Sequence, residues 1–198
     1  VFSIFLDDGP CKEIKEWFEG VSDEHSLVVY GDKGIGKTTL LKKVSEDFKK
    51  EHEVELKYVK VPSKTLTKKE LHHFINSIFK ESSLTGDFSI YDYDNACQKK
   101  TVIVMDEAQN VFLSQTEGFE AYYELVNIIN LNTENIFWLM SFNKYSWLYL
   151  DRAFGRSQFF RNVFNIPGWS DVKIKELIMK RHEKSKFRLS YDLLISAT

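Results

Sequence analysis

The chain has 198 residues, with 27 Lys and Arg against 29 Asp and Glu, a formal charge of −2, and 43% hydrophobic and 15% aromatic residues. That length allows one domain of ordinary size, or one domain and the start of another, and the apolar content excludes a disordered polymer. The charge balance leaves no basic footprint of an autonomous nucleic-acid binder, Cys11 and Cys97 match no zinc or C-x-x-C spacing, and no apolar run approaches the ~18 residues of a membrane span, so a reduced, cytoplasmic setting is expected.

In chain order, a short apolar run from Val1 to Leu6 precedes Gly9 and Pro10, where a proline at a first helical position opens a helix. Ile14, Trp17 and Phe18 give that helix an apolar face, and Gly20 stops it. Leu27 to Tyr30, apolar and β-branched, predicts a strand. It breaks into Gly31, Asp32, Lys33, Gly34, Ile35, Gly36, Lys37, Thr38 and Thr39, which match the phosphate-binding pattern G-x-x-x-x-G-K-[ST] between a strand and a helix. Gly31, Gly34 and Gly36 let the backbone turn successive N–H groups inward on an anion. Lys37 places a point charge on the β- and γ-phosphates, and the Thr38 hydroxyl completes the coordination of Mg²⁺. The helix behind the loop, with Leu41, Val44 and Phe48 on one face, aims its positive N-terminal end at the same phosphates.

Val54 to Pro62 predicts a second strand, with Val54, Leu56, Tyr58 and Lys60 on one face and Val59 and Val61 on the other. Thr67 and Glu70 form a capping-box pattern ahead of an apolar stripe of Leu71, Phe74, Ile75 and Ile78. His72 and His73 lie in that helix without a partner at metal-ligand spacing, so they read as ordinary helical positions. Residues 82 to 99 predict an irregular or partly helical connection, with Tyr91 to Asp94 in a solvated loop. Thr101 to Met105 is a continuous apolar run, as expected of a buried parallel strand, and ends in Asp106, Glu107, Ala108 and Gln109. Phe119, Tyr122, Val126 and Ile129 mark the next helix, and Ile136 to Phe142 a fourth strand ending at Asn143. A helix from about Tyr145 to Phe154 leads past Arg152, Arg156 and Arg161 to a fifth strand, Val163 to Ile166. Ser170 caps a helix carrying Ile174, Leu177, Ile178 and Arg181, and Ser190 caps one more.

Strands alternating with helices imply an α/β fold, a mainly parallel sheet with helices on both faces. Ligands bind outside the carboxyl ends of such strands, where Lys37, Asp106 and Asn143 all fall. Asp106 is the expected Mg²⁺ partner, acting through water, and Glu107 is placed to polarise a water for attack on the γ-phosphate. Asn143 is placed to hold that water or the γ-phosphate, and Arg152, Arg156 and Arg161 are candidates for an arginine finger supplied to a neighbouring subunit.

GDKGIGKTT from Gly31, VIVMDEAQN from Val102 and FWLMSFN from Phe137, with the arginine-bearing segment from Leu150 to Phe164, resemble the AAA+ ATPases and their STAND relatives. Within them the resemblance is to the branch of origin-recognition and transposition ATPases, and it spans residues 1 to 185. It implies a three-layer P-loop NTPase sandwich with strand order 5-1-4-3-2, with ATP and Mg²⁺ as ligands. The core is expected over residues 1–168 and the beginning of a helical lid over 169–198, where Arg181 or Arg188 lies near a second sensor arginine. Helicases share a DE pair after such a loop but need a second motor domain, and P-loop kinases lack the inserted strand. The expected function is a Mg²⁺-dependent, ATP-hydrolysing switch in a larger signalling or defence protein, because the chain starts at Val1 and stops inside a helical pattern. A DNA-transaction ATPase of transposition or replication initiation, and a scaffold that binds ATP without hydrolysis, are the alternatives.

Overall fold

Every apolar run singled out as a strand forms one: β1 Ser26–Gly31, β2 Glu55–Lys60, β3 Thr101–Asp106, β4 Ile136–Asn143 and β5 Asn162–Ile166. The computed structural model describes residues 9–62, 67–79, 89–97, 99–112, 118–131, 133–154 and 160–184. The strands build one sheet in the order β2-β3-β4-β1-β5, with every neighbouring pair parallel. This is the expected order, with no antiparallel member. Central strands covered on both faces read as unbroken apolar runs because neither face meets water. Accordingly Val28, Ile103, Val104, Trp138 and Leu139 are all fully buried. The edge strand β2 instead keeps Glu55, Tyr58 and Lys60 partly or fully exposed.

Helix α1 Gly9–Phe18 precedes the first strand, and the helices between strands are α2 Lys37–Glu51, α3 Lys68–Ile78, α4 Ile90–Ala96, α5 Gly118–Asn130 and α6 Lys144–Phe154. A short 3₁₀ turn spans Ala108–Val111, and α7 covers Asp171–Lys184. In α2, Leu41, Val44 and Phe48 are buried, and in α3 Leu71, Ile75 and Ile78. The Thr67–Glu70 capping box forms reciprocally. His72 Nε2 lies 2.9 Å from Glu124 Oε1, which ties α3 to α5. Among the described residues no group of three or more His, Cys, Asp or Glu could hold a metal, and no helix is long and apolar enough to cross a membrane.

The connection after α3 departs from expectation. Tyr91 to Asp94 lie in α4, which opens on a Ser89–Asp92 capping box. Tyr93 stacks on Phe79 with ring centroids 4.2 Å apart. The buried Asp94 carboxylate accepts from the Glu134 N–H at 3.0 Å and the Asn135 N–H at 2.8 Å. The polar cluster is therefore a latch ahead of β4, because the Asp94 carboxylate satisfies backbone donors of the β4 approach.

The chain divides into two compact units, Asp8–Ile166 with the whole sheet, and Val1–Asp7 with Pro167–Thr198. In the second, Ser170 opens α7 as expected: its carbonyl accepts from Ile174 N–H at 2.9 Å and its hydroxyl from Lys173 N–H at 3.4 Å. The apolar run at residues 1–6, Arg156, Arg188 and Ser190 lie outside the described residues.

Candidate functional site

The loop between β1 and α2 has the backbone its glycines foretell. Gly34 and Gly36 take φ of 81° and 105°, a left-handed region that costs any residue with a Cβ. Gly31 is required by close approach, since a Cβ there would lie 3.1 Å from the Ile166 carbonyl oxygen and 3.1 Å from Ile35 Cγ2. Gly36 is the N-cap of α2 and brings no side-chain cap. The first-turn N–H groups are thus left for a ligand, and the helix dipole favours an anion there.

Lys37 Nζ donates to the carbonyls of Gly31 at 2.9 Å and Asp32 at 2.8 Å, folding back over the loop. Burial lowers its pKa, against the opposing pull of Asp106, Asp32 and Glu107. The Asp32 carboxylate is turned toward Lys144 Nζ, 3.4 Å away at the start of α6.

Asp106, only 2% exposed, ends β3 and accepts at both oxygens. Oδ1 takes the Ser141 hydroxyl at 2.5 Å and the Glu107 N–H at 3.1 Å; Oδ2 takes the Thr38 and Tyr58 hydroxyls, each at 2.7 Å. Burial pushes this carboxyl up, but the hydrogen bonds from Ser141, Thr38, Tyr58 and the Glu107 N–H together hold it below its ordinary value. For the Tyr58 phenol, burial and the bond to Asp106 act in the same direction and push its pKa far up.

Glu107 sits in the left-handed region at φ 56°, the one non-glycine among the described residues to do so. Strain of this kind collects at functional sites, held by surrounding bonds. Here the Glu107 N–H also donates to Ser141 Oγ at 2.9 Å, and its carboxylate meets Lys60 Nζ at 3.1 Å. Parallel pairing places Lys60 opposite Asp106 in register, which brings the end of β2 to this corner. The buried Gln109 accepts the Asn143 N–H at 3.0 Å through Oε1, joining the ends of β3 and β4. Asn143 Oδ1 accepts the Tyr145 N–H at 2.9 Å and so begins α6.

These groups bound a cleft of about 430 Å³, with Lys33, Gly34, Gly36, Lys37, Thr38 and Thr39 on one side and Asp106, Glu107, Gln109, Asn110 and Asn143 on the other. Of the residues expected from sequence, Gly31, Asp32 and Ile35 shape the loop without lining the cleft. Arg152 is exposed in the last turn of α6 and does not line the cleft. Arg161 is exposed and paired with Glu24 at 2.6 Å. Gln109 and Asn110 line the cleft without having been expected to, and Tyr58, Lys60 and Ser141, which contact Asp106 or Glu107, were not expected at the site either. Ser141, a lone hydroxyl within the apolar run Ile136 to Phe142, carried a usable signal. The Thr38 hydroxyl and the Asp106 carboxylate, touching at the cleft wall, are hard oxygen donors without nitrogen or sulfur. That donor set fits Mg²⁺, which takes one or two protein oxygens and completes its shell with water and phosphate.

An open-glycine loop feeding an uncapped helix, across from a buried carboxylate on β3, defines a P-loop nucleoside-triphosphate-binding domain. The chain belongs to the AAA domain family, whose model matches residues 21–144, and is accordingly an AAA+ P-loop ATPase domain in kind. It is similar to the ORC2 protein of Aeropyrum pernix in ADPNP and ADP complexes, with 18% identity, TM-score 0.58, and coverage of 88% of this chain and 51% of that one. The ORC1 protein of the same organism in complex with DNA gives 16% identity, TM-score 0.62, and coverage of 88% and 47%. The HORMA:CdnC:Trip13 complex of E. coli MS115-1 gives 13%, TM-score 0.60, and coverage of 94% and 66%. At such identities the likeness is one of fold, and the chain spans about half the length of the two origin-recognition structures. No curated protein matches it.

Proposed function

We propose that this domain binds ATP with Mg²⁺ and hydrolyses it, as a nucleotide-dependent switch within a larger protein. The observation that carries the reading is Glu107, a carboxylate on the cleft wall directly after the buried Asp106, fixed by its backbone bond to Ser141. In this reading the loop N–H groups and the start of α2 hold the phosphates, and Lys37 exchanges its two carbonyl contacts for phosphate oxygens. Thr38 and Asp106 hold Mg²⁺, which supplies neutralisation of the charge developing on the β- and γ-phosphates. Glu107 takes the proton of the attacking water, and the Asn143 side chain orients that water. Lys60 holds the Glu107 carboxylate until nucleotide arrives.

Residues 169–198 are proposed as the beginning of the helical lid, with α7 its first helix. Arg152, exposed at the end of α6, and Arg156 are the proposed fingers toward a second copy. The charge of −2 supports a signalling or defence switch acting on protein ahead of a DNA-transaction ATPase. ATP-dependent DNA binding that weakens steeply with salt would reverse that preference. The catalytic assignment is tested by Glu107→Gln. ATP affinity is expected to stay near the wild-type value while turnover falls on the order of 100-fold or more, as for loss of a general base; normal turnover would sink the assignment.

A further inference from the structure

Asp106 has no acceptor position to spare. A carboxylate offers about four lone-pair sites, and hydrogen bonds from Ser141, the Glu107 N–H, Thr38 and Tyr58 occupy them. A cation, or a water bound to one, therefore reaches Asp106 only by replacing a donor. The donors differ in how easily they yield. Ser141 is fully buried in the central strand β4, and the Glu107 N–H is backbone, so the Oδ1 pair is fixed. The Thr38 hydroxyl can keep donating its proton to Asp106 while its oxygen turns to a cation, so it need not leave. Tyr58 remains. It stands on the edge strand β2, is 36% exposed, and its phenol touches both Asp106 and the Thr38 hydroxyl. Swung outward, its hydroxyl meets water and leaves no buried group unpaired on its own side.

We propose that the Tyr58 hydroxyl competes with the divalent cation for Asp106, so that β2 sets how much Mg²⁺ the site needs before it is loaded. This rests on the reading above that Asp106 and Thr38 hold the cation. In the absence of cation the phenol shares Oδ2 with the Thr38 hydroxyl and keeps the buried carboxylate fully satisfied. The ring is held in place from outside by Lys42, whose Nζ lies 5.0 Å from its centroid. Tyr58 is thus a positioning residue that acts through Asp106, and its removal affects metal loading without touching nucleotide.

Tyr58→Phe removes the hydroxyl alone and keeps the ring under Lys42. Binding of the fluorescent analogue MANT-ATP is titrated with Mg²⁺ in wild type and variant, and repeated in EDTA. The half-saturating Mg²⁺ concentration is expected to fall on the order of tenfold in the variant, the scale of one hydrogen bond to a charged group. Affinity in EDTA is expected to be unchanged. An unchanged or raised Mg²⁺ requirement with EDTA affinity intact overturns the role of Tyr58 and leaves the cation site standing. Loss of affinity in EDTA also overturns it, because the phenol would then hold the nucleotide site together. Wild-type binding that is indifferent to Mg²⁺ removes the cation site itself, and the competition with it.

Discussion

Asp106 shows how a buried charge is kept in this fold. Taking an ionised carboxylate out of water is costly unless its acceptors are filled, and here they are filled by hydroxyls and one backbone N–H. Its folded pKa lies below the ordinary value of 3.8. The stability this contributes is complete above that value and is lost as the pH falls through the folded pKa. Ser141→Ala withdraws one donor and raises the folded pKa, so acid unfolding should move to higher pH. At neutral pH the variant should lose roughly 1.5–3 kcal/mol, the scale for a hydrogen bond to a charged group. Circular dichroism followed through an acid titration, with urea unfolding at neutral pH, reads both; an unmoved acid midpoint would mean that Ser141 does not carry the carboxylate. The residues of this corner were unequally legible. Lys37, Thr38, Asp106 and Glu107 follow from spacing along the chain, because a phosphate loop and a strand end are local patterns. Tyr58 and Lys60 do not, because their place at Asp106 depends on the parallel register of β2 with β3. The left-handed Glu107 is invisible in sequence for a further reason: that conformation disfavours its side chain, and bonds from its N–H to Ser141 and Asp106 help to hold it.

Among elements, the helices with strong apolar stripes were legible and the short one was not. α3 declares itself by a Thr67–Glu70 box and a stripe of buried residues. α4 has seven residues, too few for a periodicity, and its capping box uses Asp92 where Glu or Gln is usual. Its weight lies in what it latches. Asp94 satisfies the Glu134 and Asn135 N–H groups that lead into β4, and the Asn135 side chain returns a bond to the Asp94 carbonyl at 3.2 Å. Asp94→Ala leaves those backbone donors without their acceptor and should cost about 1.5–3 kcal/mol. For a chain of this size each kcal/mol moves Tm by roughly 2–4 °C, so thermal unfolding should come several degrees early. Ser89→Ala removes only the exposed cap and should cost about 1 kcal/mol. Equal losses in the two variants would show that α4 acts by its own helicity and not through the latch. A comparable tie joins α1 to β3, where Lys100 Nζ donates to the last carbonyls of α1, Trp17 at 3.2 Å and Phe18 at 3.0 Å.

At the scale of the molecule, the strand order was legible from the resemblance carried by the motifs, and the burial of β1, β3 and β4 from their unbroken apolar runs. Parallel neighbours must be joined by crossovers, and those crossovers supply the helical layers on the faces. The same topology sets β4 between β1 and β3, which brings Asn143 between the phosphate loop and Asp106. A ligand filling that cleft therefore touches the ends of β3 and β4 and the loop that follows β1, and should stabilise the sheet as a whole. Binding to the folded state alone adds about 2.7 kcal/mol when the ligand stands at 100 times its Kd. With the same 2–4 °C per kcal/mol, Mg²⁺ and ATP should raise Tm by roughly 5–11 °C. Lys37→Ala should abolish that shift. Its effect on the nucleotide-free protein should be small, because Lys37 makes only contacts to loop carbonyls there and burial already weighs against its charge. Differential scanning fluorimetry with and without nucleotide separates the two effects. A Lys37→Ala protein that melts like wild type alone, yet gains the full shift with Mg²⁺ and ATP, would show that the helix N-terminus and the loop N–H groups hold the phosphates without the lysine charge.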